Sequence, residues 1–193
     1  MDLNLDGYEA LIMDWDGTMV DSQPINYRSL AEALKAHAVD LREDWYRERL
    51  GTSVDGLLED LGVSVPLADL LDRCGELIIR DLPSLRPFEI VVGWVEDARA
   101  RGLACAVASG GGGAVVRAGI KATGLAHLFD TVVTREDADR GKPAPDLFLE
   151  AARRLRVPPQ RCLVVEDAEE GLAAARAAGM DAVDVRPYVT SSW

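Results

Sequence analysis

Short apolar runs alternate with helical spacings along most of this 193-residue chain. Ala10-Leu11-Ile12-Met13-Asp14 is a compact apolar run that ends on an acid. Residues 103–108 repeat that shape and end on Ser109; residues 163–165 repeat it again and end on Glu166-Asp167. Residues 131–133 and 182–185 are two further short β-prone runs. Between them, Ile90, Val91, Trp94, Val95 and Ala98 recur at helical spacing and stop at Gly102. Leu147, Phe148, Ala151, Ala152 and Leu155 follow Pro143 and Pro145, residues that suit a helix start. Residues 168–178 are alanine-rich and close on Gly179, which predicts a C-terminal cap. Strands alternating with helices of this length predict an α/β fold, a doubly wound parallel sheet with helices on both faces. In such sheets ligands gather beyond the carboxyl ends of the strands, where the polar residues ending these runs would meet.

One stretch breaks the alternation. From about residue 21 to residue 85 only helical patterns occur: Leu30, Ala31, Leu34 and Ala38, then Val54, Leu57, Leu58 and Leu61, then residues 67–79. This predicts a small helical cap, residues 22–85, inserted after the first strand of a core formed by residues 1–21 and 86–193. Ser22-Gln23-Pro24 and Pro83-Ser84-Leu85-Arg86-Pro87 are the expected connections, stiffened by their prolines.

Charge narrows the partners. Lys and Arg number 21 against 33 Asp and Glu, a net charge of −12. Such a surface repels nucleic acid and anionic membranes, so neither is an expected partner, whereas local basic sites can still hold a small anion. The first six residues carry two acids and no base, which argues against a signal peptide, and no apolar run reaches the length that spans a bilayer. Cys74, Cys105 and Cys162 are an odd number without paired metal-ligand spacing, as expected for buried, reduced thiols in the cytoplasm. A monomer is the default expectation for a chain this small.

The residues ending the apolar runs carry the chemistry. Asp14-Trp15-Asp16-Gly17-Thr18 follows the first strand, Ser109 the second, and Glu166-Asp167 the fourth. Lys142 lies in Gly141-Lys142-Pro143-Ala144-Pro145. Each has an ordinary alternative: a solvated turn for the first two acids, a surface lysine, a helix-capping acid. On one sheet edge, however, several carboxylates raise each other's pKa unless a cation intervenes. Carboxylates with no His or Cys beside them suit Mg²⁺. A metal, a spare carboxylate, a hydroxyl and an ammonium together suit phosphoryl transfer.

These four segments, in this order, resemble the signatures of the haloacid dehalogenase superfamily, and the resemblance covers essentially the whole chain. Residues 166–186 are particularly similar to the β-phosphoglucomutase-like branch, which includes bacterial sugar-phosphate phosphatases. The resemblance implies that Asp14 attacks phosphorus and that Asp16 acts as general acid and then general base. It implies that Asp14, the Asp16 backbone carbonyl, Asp167 and, directly or through water, Glu166 hold Mg²⁺. Ser109 and Lys142 would bind the transferring phosphoryl oxygens of a small phosphorylated substrate. The cap loop Leu50-Gly51-Thr52-Ser53 would reach the substrate, with Thr52, Ser53 and Asn26 as sugar-hydroxyl contacts. Gly110, opening the run Gly110-Gly111-Gly112-Gly113, is a further candidate substrate contact, either within a phosphate-binding helix N-terminus or as part of a plain turn. Mutases of the branch carry Arg where Val54 stands and His where Asn26 stands, so a phosphatase is expected over a mutase. Trp15, His37 and His127 are read as packing or solvated residues.

Overall fold

The structure, a computed structural model, describes residues 3–191. Five parallel strands form one sheet: β1 (Ala10–Met13), β2 (Ala104–Ala108), β3 (Thr131–Val133), β4 (Cys162–Glu166) and β5 (Asp181–Asp184). Their order is β3-β2-β1-β4-β5. The chain therefore reverses direction across the sheet at β1, between β2 and β4, which is where an open α/β sheet forms its ligand crevice. Register does the rest. Met13 lies beside Val107 on one side and Val165 on the other, so the residues just beyond these three emerge on the same edge.

Strand side chains alternate between two apolar layers because their period is two. Leu11, Met13, Cys105, Val107, Leu163 and Val165 face one layer. It is covered by α5 (Glu89–Ala100), through Val91, Trp94, Val95 and Ala98, and by α6 (Gly113–Ala122), through Val116 and Ile120. Ala10, Ile12, Ala106, Ala108 and Val164 face the other. There α7 (Asp146–Leu155) contributes Leu147, Phe148, Ala151 and Ala152, and α8 (Glu169–Ala177) contributes Ala174 and Ala175. Burial of each large aliphatic side chain is worth about 1.5–3 kcal/mol, so the doubly covered sheet is the main source of rigidity under the site. The small residues of the second layer let α7 and α8 approach the sheet closely.

The interruption is helical throughout: α1 (Gln23–Lys35), α2 (Glu43–Arg47), α3 (Val54–Leu61) and α4 (Leu67–Asp81). These four build their own apolar cluster around Leu30, Leu34, Leu57, Leu58, Leu70 and Leu77. α2 escapes a periodicity reading because five residues are too short to repeat a helical stripe; it is held instead by buried Tyr46, whose ring tilts against Tyr27 at 5.6 Å. Entry and exit of the insertion pair with each other, Val20 bridging Pro87 and the Asp21 N–H donating to Arg86 O at 2.8 Å. α4 meets α6 where Gly75 faces Val115; a Cβ on Gly75 would stand 3.4 Å from that methyl. All three cysteines are free and buried, and burial pushes each thiol up to about 11. Among the described residues no helix is long and apolar enough to cross a membrane.

Candidate active site

Asp14 follows β1 and extends its ladder by one bond, its N–H donating to Val165 O at 3.0 Å. That bond fixes the backbone from which a carboxylate only 5% exposed projects. Lys142 reaches it from the loop before α7, donating to Asp14 Oδ1 at 2.5 Å and Glu166 Oε2 at 2.6 Å. The Lys142–Pro143 peptide is cis. The ammonium also lies 5.1 Å from the centre of the buried Phe148 ring. Glu166 ends β4, and its other oxygen accepts the N–H groups of Asp167 and Ala168, both at 3.0 Å. Both Glu166 oxygens are thus engaged, and a cation would be an additional partner.

Gly171 makes room for this arrangement. A Cβ there would stand 1.9 Å from Glu166 Oε2, a side chain 1% exposed with no free space to retreat into. Gly171→Ala is therefore expected to displace Glu166 and lower stability by about 1–3 kcal/mol, as overpacked cores do. Thermal melting checks this; a variant as stable as the parent would mean that Glu166 is not held as described.

Asp167 accepts the Thr18 hydroxyl at 3.0 Å. Gly17, at φ +84°, turns the chain beneath it, and a Cβ at Gly17 would meet Asp167 Oδ2 at 2.3 Å. Only glycine satisfies both the left-handed backbone and that approach. Asp14, Glu166 and Asp167 bring oxygens within 4.8 Å of one another. Burial, then Glu166, raise Asp14 well above the usual carboxylate range, although Lys142 opposes them. Burial and Glu166 likewise push Asp167 up to about 7. Burial works against the Lys142 ammonium, but Asp14 and Glu166 overcome it and hold the proton in place. Three carboxylates against one ammonium leave two negative charges, the charge of one divalent cation. An all-oxygen donor set fits a hard ion such as Mg²⁺.

The transfer side lies across the crevice. Ser109, 1% exposed, accepts the Gly111 N–H at 3.0 Å. A Cβ on Gly111 would stand 3.2 Å from Ser109 Oγ and 3.4 Å from Asp16 Oδ2, so this glycine separates the hydroxyl from the second acid. Asn26 of α1 donates to Asp16 Oδ1 at 3.3 Å, tying the insertion to the core. Asp16 and Asn26 border a crevice of about 10 Å³ walled by Trp15, Ile78, Leu85 and Val115, room for about one water. Trp15 is 3% exposed and packs against Gly119, a structural position as expected.

The outlying candidates divide. Gly51, at φ +88°, would bring a Cβ within 3.3 Å of Ala168 Cβ, so the loop 50–53 touches the residue after Asp167. Thr52 and Ser53 are exposed and lie against Gly56, without a hydrogen bond to the carboxylate cluster. Gly110 is exposed with open space around it. The glycine run does open a helix, α6, but its first N–H, from Gly113, is taken by Glu136 Oε2 at 2.9 Å. The helix N-terminus is thus occupied by the protein's own carboxylate. Sequence reasoning gave the Thr18 hydroxyl, Gly171 and Glu136 no role. A threonine two residues after Asp16 was visible, but its contact joins residues 149 positions apart; Gly171 lies only five residues after Glu166, and its role appears once the turn into α8 folds it back onto that side chain.

The family model for haloacid dehalogenase-like hydrolases matches residues 11–185. Fructose-1-phosphate phosphatase YqaB of Escherichia coli K12 is 33% identical over 190 residues, covering 93% of this chain and 97% of that protein. The crystal structure of CbbY from Rhodobacter sphaeroides in complex with phosphate superposes with a TM-score of 0.81 at 26% identity, covering 91% and 84% of the two chains. A putative β-phosphoglucomutase from Thermotoga maritima gives 0.68 at 26% identity, covering 89% and 82%.

Proposed function

This chain belongs to the haloacid dehalogenase-like hydrolase family, and from that membership we propose that it is a Mg²⁺-dependent phosphatase of a small sugar or polyol phosphate, working through an aspartyl-phosphate. The observation that carries the reading is the convergence of Asp14, Lys142, Glu166 and Asp167 on one sheet edge, with Asp16 and Ser109 beside them. Residues 22–85 act as the cap, and residues 1–21 with 86–193 as the core.

In this reading an Asp14 oxygen attacks phosphorus while the bond to the sugar oxygen breaks. The Asp16 carboxyl gives that leaving oxygen its proton. In the second step the Asp16 carboxylate takes a proton from water, whose oxygen attacks phosphorus and releases phosphate from Asp14. Lys142 and Ser109 bind the equatorial oxygens, where charge gathers in transfer. Asp14, the Asp16 carbonyl and Asp167 would hold the ion, with Glu166 beside them. When bound, Mg²⁺ supplies charge neutralisation at the phosphoryl group. The cap loop at Gly51, seated on Ala168, limits water access while Asp14 is being phosphorylated.

A phosphate-release screen across phosphorylated sugars, polyols and nucleotides, with and without Mg²⁺, tests the reading. Release independent of Mg²⁺ would sink it, and an isomeric sugar phosphate in place of phosphate would identify a mutase. Val54 and Asn26 stand against the mutase.

The ion's effect on stability has a predictable sign. Asp167 ionises near 4 in the unfolded chain but is pushed up to about 7 when folded. Between those values the unfolded chain binds fewer protons than the folded one. Stability of the metal-free protein should therefore fall as pH rises from about 4 to about 7. Mg²⁺ reverses that penalty, so its upward shift of Tm should be larger at about pH 8 than at about pH 5. Melting curves with and without Mg²⁺ check this, and a shift equal at both would argue against a carboxylate-held ion.

A further inference from the structure

The glycine run leaves a gap beside the transfer site, and two arginines stand over it: Arg117, whose Nη2 lies 3.0 Å from where a Gly113 Cβ would be, at the helix end, and Arg135 nearer the transfer site. Arg135 follows β3 and runs alongside the run, its N–H donating to Gly111 O at 3.2 Å. Its guanidinium Nη2 lies 3.5 Å from where a Gly112 Cβ would be. The side chain is 48% exposed, and its ion-pair partner among the described residues is Glu136 Oε1 at 3.7 Å, beyond hydrogen-bond reach. The other Glu136 oxygen is committed to Gly113 N–H. Most other arginines of this acidic chain are held closer: Arg99, Arg140, Arg153, Arg154 and Arg186 each make carboxylate contacts of 2.6–2.8 Å. Arg135 keeps its donors available.

Position gives those donors a use. Gly111 touches Asp16 and Ser109, and Gly112, the next residue, touches Arg135. Successive Cα atoms lie about 3.8 Å apart, so the guanidinium stands no more than roughly 14 Å from the Asp16 carboxylate. A small sugar derivative extending from its scissile oxygen reaches to that order of distance. With no side chain at positions 110–113, only the backbone of the run stands between Arg135 and a bound substrate. We propose that Arg135 is a specificity-determining residue that binds the end of the substrate remote from the transferred phosphoryl group, and that this end carries a second anionic group, a phosphate or a carboxylate. The planar fork of the guanidinium suits either group in bidentate fashion. This rests on the phosphatase reading for the identity of the first phosphate.

The test is calorimetric binding to Asp14→Asn, which cannot turn over, with and without Arg135→Gln. The probes are fructose 1,6-bisphosphate, 6-phosphogluconate and fructose 1-phosphate, the last with an uncharged remote end. The bisphosphate, the sugar acid or both should bind ~10-fold or more tightly than the monophosphate, the size of a charge-assisted contact. Whichever does so identifies the group. Arg135→Gln should abolish that ratio, and Arg135→Lys should restore part of it. A purely structural role for Arg135 would weaken all three ligands alike and leave the ratio standing. Equal binding of the three probes, or a preference that survives Arg135→Gln, overturns the proposal. Phosphate release by the unmodified enzyme is read separately. Its absence with the ratio intact would sink the phosphatase reading alone, whereas release without any ratio would sink only the role of Arg135.

Discussion

Asp14→Asn is expected to lower phosphate release by more than about 10³-fold, because it removes the nucleophile and with it the covalent route. The fold should survive. Asn has the same shape, and the Asp14 N–H keeps its bond to Val165 O whatever the side chain. Burial and the neighbouring acids already disfavour the Asp14 charge. A neutral amide there should therefore leave Tm of the metal-free protein at or above that of the parent, even though Lys142 loses one of its two carboxylates. Activity and melting together make the test sharp. A variant that is inactive because it unfolds would show a lowered Tm, and a variant that still releases phosphate normally would remove Asp14 from the mechanism.

The second large effect is at Asp16. Asp16→Ala should slow both the transfer to Asp14 and the hydrolysis that follows, since the same carboxyl serves as acid in one step and base in the other. General acid–base assistance is typically worth ~10²–10⁴-fold, and the loss should fall on kcat. Rapid-quench measurement separates the two steps: the first turnover and the decay of phosphorylated protein should both be slower. A change confined to KM would instead give Asp16 a role in binding. Asn26, which donates to Asp16 Oδ1, offers a neutral partner with no proton to exchange. The acid–base work is thereby left to the carboxyl.

The fold class and the residues that converge at the sheet edge were legible because they lie in short, local patterns. Apolar runs of three to six residues ending on Asp14, Ser109 and Glu166-Asp167 announced strands and their carboxyl ends together. The interruption by helical spacing announced an insertion. The short helix α2 was not legible, since five residues hold less than two turns. Thr52 and Ser53 show the limit on the site: their residue types suit a hydroxyl-binding loop, yet the side chains lie against Gly56, a matter of local packing.

What the sequence determined by itself is the set of chemical groups: four acids and a serine at or just beyond the ends of apolar runs, and a lysine in a proline-flanked loop. Tertiary structure alone decided how they are shared out. Lys142 is clamped between Asp14 and Glu166, Thr18 and Gly17 are spent on Asp167, Gly171 yields its volume to Glu166, and Glu136 closes the end of α6. The physical reason is range. Hydrophobic periodicity and turn chemistry act over a few neighbouring residues, whereas a contact between Lys142 and Asp14 spans 128 positions and exists only because the fold brings the loop before α7 to the carboxyl end of β1.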